Sequence, residues 1–217
     1  MTFRIAFAGH LQAGKDTAAD YLIAKHGARR VKFADRLYLI HDFALKAVDL
    51  PPDKDRRLLQ IIGTEWGRHR DPLLWCKAFE KDYADAQGNL ICTDARFQDE
   101  RETCEKLGFL VVKIERPWFI RYKTEYLRQK GTREAWSCLD ALKTAWTVLK
   151  QSRHPSETNM EGYKYRITLQ NNGTIEELYA KVDRVLEVYD MALALTAQEA
   201  IIGSLGGRAL KAEPETE

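Results

Sequence analysis

The run Gly9-His10-Leu11-Gln12-Ala13-Gly14-Lys15-Asp16-Thr17 brings together residue types that bind a phosphate. Backbone N–H groups around Gly9, Ala13 and Gly14 can converge on an anion at the start of a helix, where free amides and the helix dipole both favour negative charge. Lys15 would reach the β- and γ-phosphates of a nucleotide, and the Thr17 hydroxyl would touch the same phosphates. The general pattern has Ser or Thr directly after the lysine to hold Mg²⁺; here that place is taken by Asp16. Its carboxylate could bind the metal, or it could orient the acceptor phosphate or the lysine; either role requires cations close by. The plain alternative is a glycine-rich strand-to-helix turn without a ligand, but strand, loop and helix all stand where the motif requires them.

A second constellation, Thr93-Asp94-Ala95-Arg96-Phe97, sets a carboxylate and a guanidinium at the carboxyl edge of a strand, the edge where ligands bind in α/β sheets. Asp94 is a candidate magnesium anchor of the Walker-B kind, and Arg96 could neutralise charge on a transferring phosphoryl group. The competing reading makes Asp94 a cap of the following helix, paired with Arg96. Gln60, Thr64 and Arg68 stand four residues apart and share one helix face. The Gln and Arg could read a base and a phosphate, or the three could form a solvated stripe. Arg121, Arg128 and Arg133 are interleaved with Trp118, Tyr122, Tyr126 and Trp136. They are candidates for phosphate-binding lid residues, because guanidinium groups grip phosphates bidentately; an amphipathic surface is the alternative.

Regular alternation of elements must position these groups. Residues 3–8 predict a buried strand and 15–26 a helix stopped by Gly27. Residues 31–33 predict a second strand, 35–48 a helix closed by Pro51-Pro52, and 54–70 and 72–86 two further helices, with Pro72 in a first turn. Strands follow at 90–93, 109–114 and 165–169, separated by a helix over 98–107 that Gly108 ends. The last strand leads through Asn171-Asn172-Gly173 into a long helix from Thr174, with Glu177 in a capping box. The expected fold is an α/β three-layer sandwich of the P-loop NTPase class, a five-stranded, mainly parallel sheet with helices on both faces and a helical lid insertion. The expected kinase domain is 1–202, with its core at 1–117 and 152–202, acceptor-binding helices at about 34–86 and a lid at about 118–151. Residues 203–217 are too polar to order themselves.

Composition narrows the function classes. With 34 Lys and Arg against 32 Asp and Glu, the net charge of +2 is too small for the sustained field of a nucleic-acid-polymer binder. Hydrophobic residues at 45% and charged residues at 30% suit a globular core. The four cysteines show neither CxxC nor Cys/His spacing, which suggests neither zinc nor disulfides and fits a reducing cytoplasm. No apolar run approaches the roughly 20 residues that span a bilayer, so no membrane partner is expected.

Taken in order, these segments resemble the bacteriophage-type deoxynucleoside monophosphate kinases, a branch of the P-loop nucleoside monophosphate kinases. The resemblance covers about 3–186 and rests on Gly9 to Thr17 with its Lys15-Asp16-Thr17, Phe33-Ala34-Asp35, Leu59 to Arg68, Thr93 to Phe97 with Glu100, His154-Pro155-Ser156-Glu157, and Asn172-Gly173-Thr174 with Leu178. It implies ATP as donor, Mg²⁺ as cofactor, a deoxynucleoside monophosphate as acceptor, and a host-cell cytoplasmic setting for a phage-encoded chain. It also implies that Phe33, Asp35 and Arg68 face the acceptor, that Gln60 and Glu157 lie on the substrate side, that Asn172 lies near the donor adenine and that the basic insertion is a lid. A homodimer is left open. Two rivals stand beside this reading: another small-acceptor kinase on the same scaffold, and a nucleotide-hydrolysing switch or motor subunit. Against the switch, the chain has no Asn-Lys-x-Asp guanine-reading motif.

Overall fold

Strand β1 (Arg4–Ala8) is buried over nearly its whole length, and alternation divides its side chains between two cores. Ile5 and Phe7 enter one, Ala6 and Ala8 the other, as the two-residue period of a strand demands. A strand apolar on both faces belongs at the centre of a parallel sheet covered by helices. The computed structural model describes residues 2–51, 53–130, 140, 142–146 and 163–191. Its sheet has the order β2-β3-β1-β4-β5, with every pairing parallel. The remaining strands are β2 (Arg29–Val31), β3 (Leu90–Cys92), β4 (Leu110–Glu115) and β5 (Ile167–Gln170).

Helices α1 (Lys15–His26) and α7 (175–191) cover the first core, where Leu22, Leu178, Val182 and Val185 meet Phe3, Ile5, Phe7, Val112 and Ile114. The second core takes Phe33, Cys76, Phe79, Cys104 and Val111 from the other face. It lies under α4 (Leu74–Tyr83) and α5 (Gln98–Lys106), and α2 (Asp35–Ala47) packs against α4. Helix α6 (Trp118–Lys130) leaves the sheet after β4. Of the expected lid, this helix and the helical residues 140 and 142–146 are described; the segment 203–217 lies outside the described residues. Cys76, Cys92 and Cys104 are buried free thiols. Among the described residues no helix is long and apolar enough to cross a membrane.

Two expectations about the elements need correction. The second strand occupies 29–31 rather than 31–33, because Arg29 and Val31 pair with Leu90 and Cys92 while the Phe33 and Ala34 N–H groups turn away to the Asp94 carboxylate. The helix expected over 54–70 is α3 (Arg56–Gln60), capped by Asp55, running into a π-helical segment Ile61–Arg68. Wider winding releases carbonyls from the usual ladder, and the Trp75 indole N–H donates to the Gly63 carbonyl at 2.9 Å.

Phe79 is the keystone of the second core: 2% exposed, it stacks on Phe33 at 4.0 Å and meets Tyr83 and Phe109. Phe79→Ala should cost about 3–5 kcal/mol, read as a lowered midpoint in urea denaturation. A loss under about 1 kcal/mol would show that the ring carries little of the packing.

Candidate active site

Two glycines shape the loop between β1 and α1. Gly14 caps α1 at φ +104°, where a side chain would collide with the Asn171 amide, and Gly9 at φ +144° lies against the Ile114 carbonyl too closely for any Cβ. No side chain caps α1, so its first N–H groups are presented to a ligand. The loop carbonyls, by contrast, are engaged. Lys15 Nζ donates to the carbonyls of Gly9 at 2.7 Å and His10 at 2.9 Å, and Ala13 N–H closes a turn onto His10 O. Asn171 Nδ2 donates to the Ala13 carbonyl at 2.7 Å. Ala13 is therefore buried in the loop, and Thr17 lies half-buried on the first turn of α1.

The Asn171 contact was not foreseen. The sequence reading picked Asn172, which is exposed beside it; Asn171 instead has its N–H on the Glu115 carbonyl and its side chain buried against the loop. Arg116 was missed as well. It follows β4 directly, its Nη1 lies 3.5 Å from the Gln12 carbonyl, and its Nε is buried without a hydrogen bond among the described residues. Burial lowers its pKa; an anion over the loop would remove that cost. A basic residue at the carboxyl edge of a central strand was the available signal. Arg121 is buried with Nη1 3.5 Å from the Leu11 carbonyl, and Gln12 Nε2 donates to Glu125 at 2.8 Å, so the base of α6 rests on the phosphate loop. The backbone of Arg128 lies in α6; its side chain, with Arg133, Trp136 and Glu157, is outside the described residues.

On the other side of β1, Asp94 accepts hydrogen bonds from Phe33 N–H and Ala34 N–H, both at 3.1 Å, and from the Cys92 thiol. Burial raises its pKa, and the two backbone N–H groups oppose that shift. The alternative in which Asp94 caps the following helix and pairs with Arg96 is thereby corrected: it holds the turn before α2, and α5 is capped by Glu100. Phe33, expected to face the acceptor, has its ring 4% exposed and stacked on Phe79. Asp35 accepts from Lys32 N–H at 2.9 Å and Tyr83 OH at 2.6 Å and so shapes the same turn.

Arg68 is turned towards α5, where it binds Glu100 at 2.5 Å and Asp99 at 3.3 Å and lies 4.0 Å over the Phe97 ring. Gln60 and Thr64 are exposed, whereas Arg68 is half-buried against α5, so the three side chains are not brought together. The Arg96 side chain is exposed, and among the described residues no hydrogen bond or ion pair holds its guanidinium. Asp16 is also exposed, at the first turn of α1, with Arg30 at 3.3 Å. Glu100 is buried, and desolvation pushes its pKa up to about 7 against the pull of Arg96 N–H, Phe97 N–H and Arg68.

An uncharacterized protein, ORF77 of Ictalurid herpesvirus 1 (strain Auburn), is 30% identical over 187 residues, covering 84% of this chain and 69% of the relative. The candidate deoxynucleotide monophosphate kinase of Acanthamoeba polyphaga mimivirus is 26% identical over 210 residues, covering 82% of this chain and 93% of its own. The deoxynucleotide monophosphate kinase of Escherichia phage RB69 is 25% identical over 136 residues, 60% of this chain and 44% of that protein. The chain belongs to the viral deoxynucleotide monophosphate kinase family. As a member of that family it is a phosphotransferase. The fold agrees: shikimate kinase from Bacteroides thetaiotaomicron superposes with a TM-score of 0.50 at 12% identity, over 86% of this chain and 99% of that one. No protein-family model matches.

Glu100 makes stability depend on pH. Its folded pKa of about 7 stands above the ordinary 4.5, so the folded chain binds this proton more tightly, and the contribution is complete below about pH 4.5 and lost as pH rises through about 7. Glu100→Gln abolishes this titration. The stability of the variant relative to the parent should therefore rise between about pH 5 and 8, measured as the difference in urea midpoints; a pH-independent difference would contradict the assignment.

Proposed function

We propose that this kinase transfers the γ-phosphoryl group of ATP to the 5'-phosphate of a deoxynucleoside monophosphate. An oxygen of the acceptor phosphate forms the new P–O bond, the bond to the β-phosphate oxygen breaks, and ADP leaves. The observation that carries this reading is the pairing of two phosphate-seeking arms at one sheet edge: the loop after β1 with Lys15, and the turn after β3 with the exposed Arg96 and the nearby Arg68. One arm alone would serve a nucleotide switch; the second suits an acceptor that is itself a phosphate. The names of the mimivirus and phage RB69 relatives support the same acceptor class.

Gly9, Ala13, Gly14 and Thr17 shape or contribute the donor-phosphate cradle, with Lys15 exchanging its loop carbonyls for the β- and γ-phosphates. Arg116 and Arg121 flank the loop as further cations, and Asn172 lies at the rim for the adenine. Phosphoryl transfer is catalysed mainly by positioning and charge neutralisation, so these groups suffice without a covalent enzyme intermediate. Two carboxylates fit Mg²⁺, which commonly keeps waters and takes one or two carboxylates besides substrate phosphates. Asp94 keeps acceptor lone pairs beyond its two amide bonds and the Cys92 thiol, and burial raises its proton affinity, a cost that a bound cation would offset. Asp16 is exposed beside Lys15. Bound there, the ion would supply charge neutralisation to the phosphates; Asp16 and Asp94 would hold it.

Steady-state ADP release with ATP and each deoxynucleoside monophosphate tests the proposal: at least one acceptor should stimulate release strongly. Asp16→Ala should lower turnover about 100-fold or more while ATP binding, followed by calorimetry, changes far less. Release that no monophosphate stimulates would overturn the reading.

A further inference from the structure

Glu100 is a buried carboxylate at a position where a neutral side chain could do the visible structural task. It is the third residue of α5, and its Oε2 accepts from Arg96 N–H at 2.7 Å and Phe97 N–H at 3.1 Å, reaching back in the manner of a capping box. Gln performs that role as well as Glu, without the penalty of burying a charge. The second oxygen explains the charge. Oε1 does nothing for the helix end; it accepts from Arg68 Nη2, while Asp99 takes Nη1 and the Phe97 ring supports the guanidinium plane.

The next residue completes the arrangement. Arg101, with its side chain buried, donates from Nη1 to the Arg96 carbonyl at 2.9 Å. The backbone of Arg96 is thus held on both sides, by Glu100 at its N–H and by Arg101 at its C=O, while its own guanidinium stays exposed. One carboxylate therefore ties the π-helical segment that carries Arg68 to the turn that carries Arg96.

We propose that Glu100 is a positioning residue for the acceptor phosphate, fixing Arg68 and the Arg96 turn relative to each other so that both guanidinium groups meet one phosphate. This rests on the kinase reading above. Arg68 keeps further N–H donors after its bonds to Glu100 and Asp99, so it can stay bracketed while it binds. Preorganisation of this kind lowers the cost of ordering two long side chains at the moment of binding.

The test is a cycle of E100Q, R68A and the double variant, assayed with both substrates varied. Gln keeps an oxygen for the helix cap but sets an NH₂ or a neutral carbonyl against the guanidinium. E100Q should raise KM for the deoxynucleoside monophosphate about 10-fold, the scale of one charge-assisted hydrogen bond, with KM for ATP unchanged. In the R68A background the same substitution should add less than about 2-fold, because a residue acting through Arg68 has nothing left to position. Arg68→Lys serves should E100Q fold poorly: it keeps the charge, loses the fork, and should also raise only the acceptor KM. An unchanged acceptor KM in E100Q, or effects that multiply in the double variant, overturn the bracket alone. A wild-type enzyme that turns over no monophosphate overturns the bracket together with the kinase reading.

Discussion

The N–H groups at the start of α1 have to remain available to an anion, and the surroundings of the site follow from that constraint. A loop that closed on itself would satisfy those amides internally and lose the site. Here the carbonyls are taken instead: Lys15 holds those of Gly9 and His10, and Asn171 holds that of Ala13. The loop is held through its acceptors, and no side chain caps the start of α1. Gly14 must be glycine because the Asn171 amide occupies the space of a side chain, so the strand-to-helix turn, the end of β5 and the phosphate cradle are one packing problem.

Buried carboxylates organise the opposite side in the complementary way. Asp94 gathers the N–H groups of Phe33 and Ala34, and Glu100 gathers those of Arg96 and Phe97 together with the Arg68 guanidinium. Each is desolvated, and the pKa of each is raised. Such groups are costly unless several donors converge on them; where they do, the backbone turns between strand and helix are fixed at the carboxyl edge of the sheet. Arg96 keeps an exposed guanidinium, and Arg116 a buried Nε without a hydrogen bond among the described residues. Both lie where phosphates would arrive.

The scaffold was legible because local rules and burial agree in it. Helix α1 begins at Lys15 and ends before Gly27 as its left-handed caps require, and the β/α alternation gave a parallel sheet whose edge carries both motifs. What escaped was decided by contacts distant in sequence. Nothing local distinguishes Asn171 from Asn172, yet the register of β5 against β4 turns the first inward. Phe33 was expected to face the acceptor, and the placement of α4 brings Phe79 onto its ring. Glu100 was visible as part of a motif, but its bond to Arg68 joins residues 32 apart. Gly63 and Gly67 weaken α-helix propensity, but the Trp75 indole that reaches across from α4 to the Gly63 carbonyl is a contact no local pattern announces.

A crystal structure with ADP and a deoxynucleoside monophosphate bound together measures the central claim most directly. The account requires the ADP β-phosphate on the N–H groups of the loop, with Lys15 Nζ turned from the Gly9 carbonyl to the phosphate, and the acceptor phosphate at about 3 Å from the guanidinium groups of both Arg68 and Arg96. A monophosphate whose phosphate touches neither arginine, or ADP phosphates seated away from the loop, would contradict it.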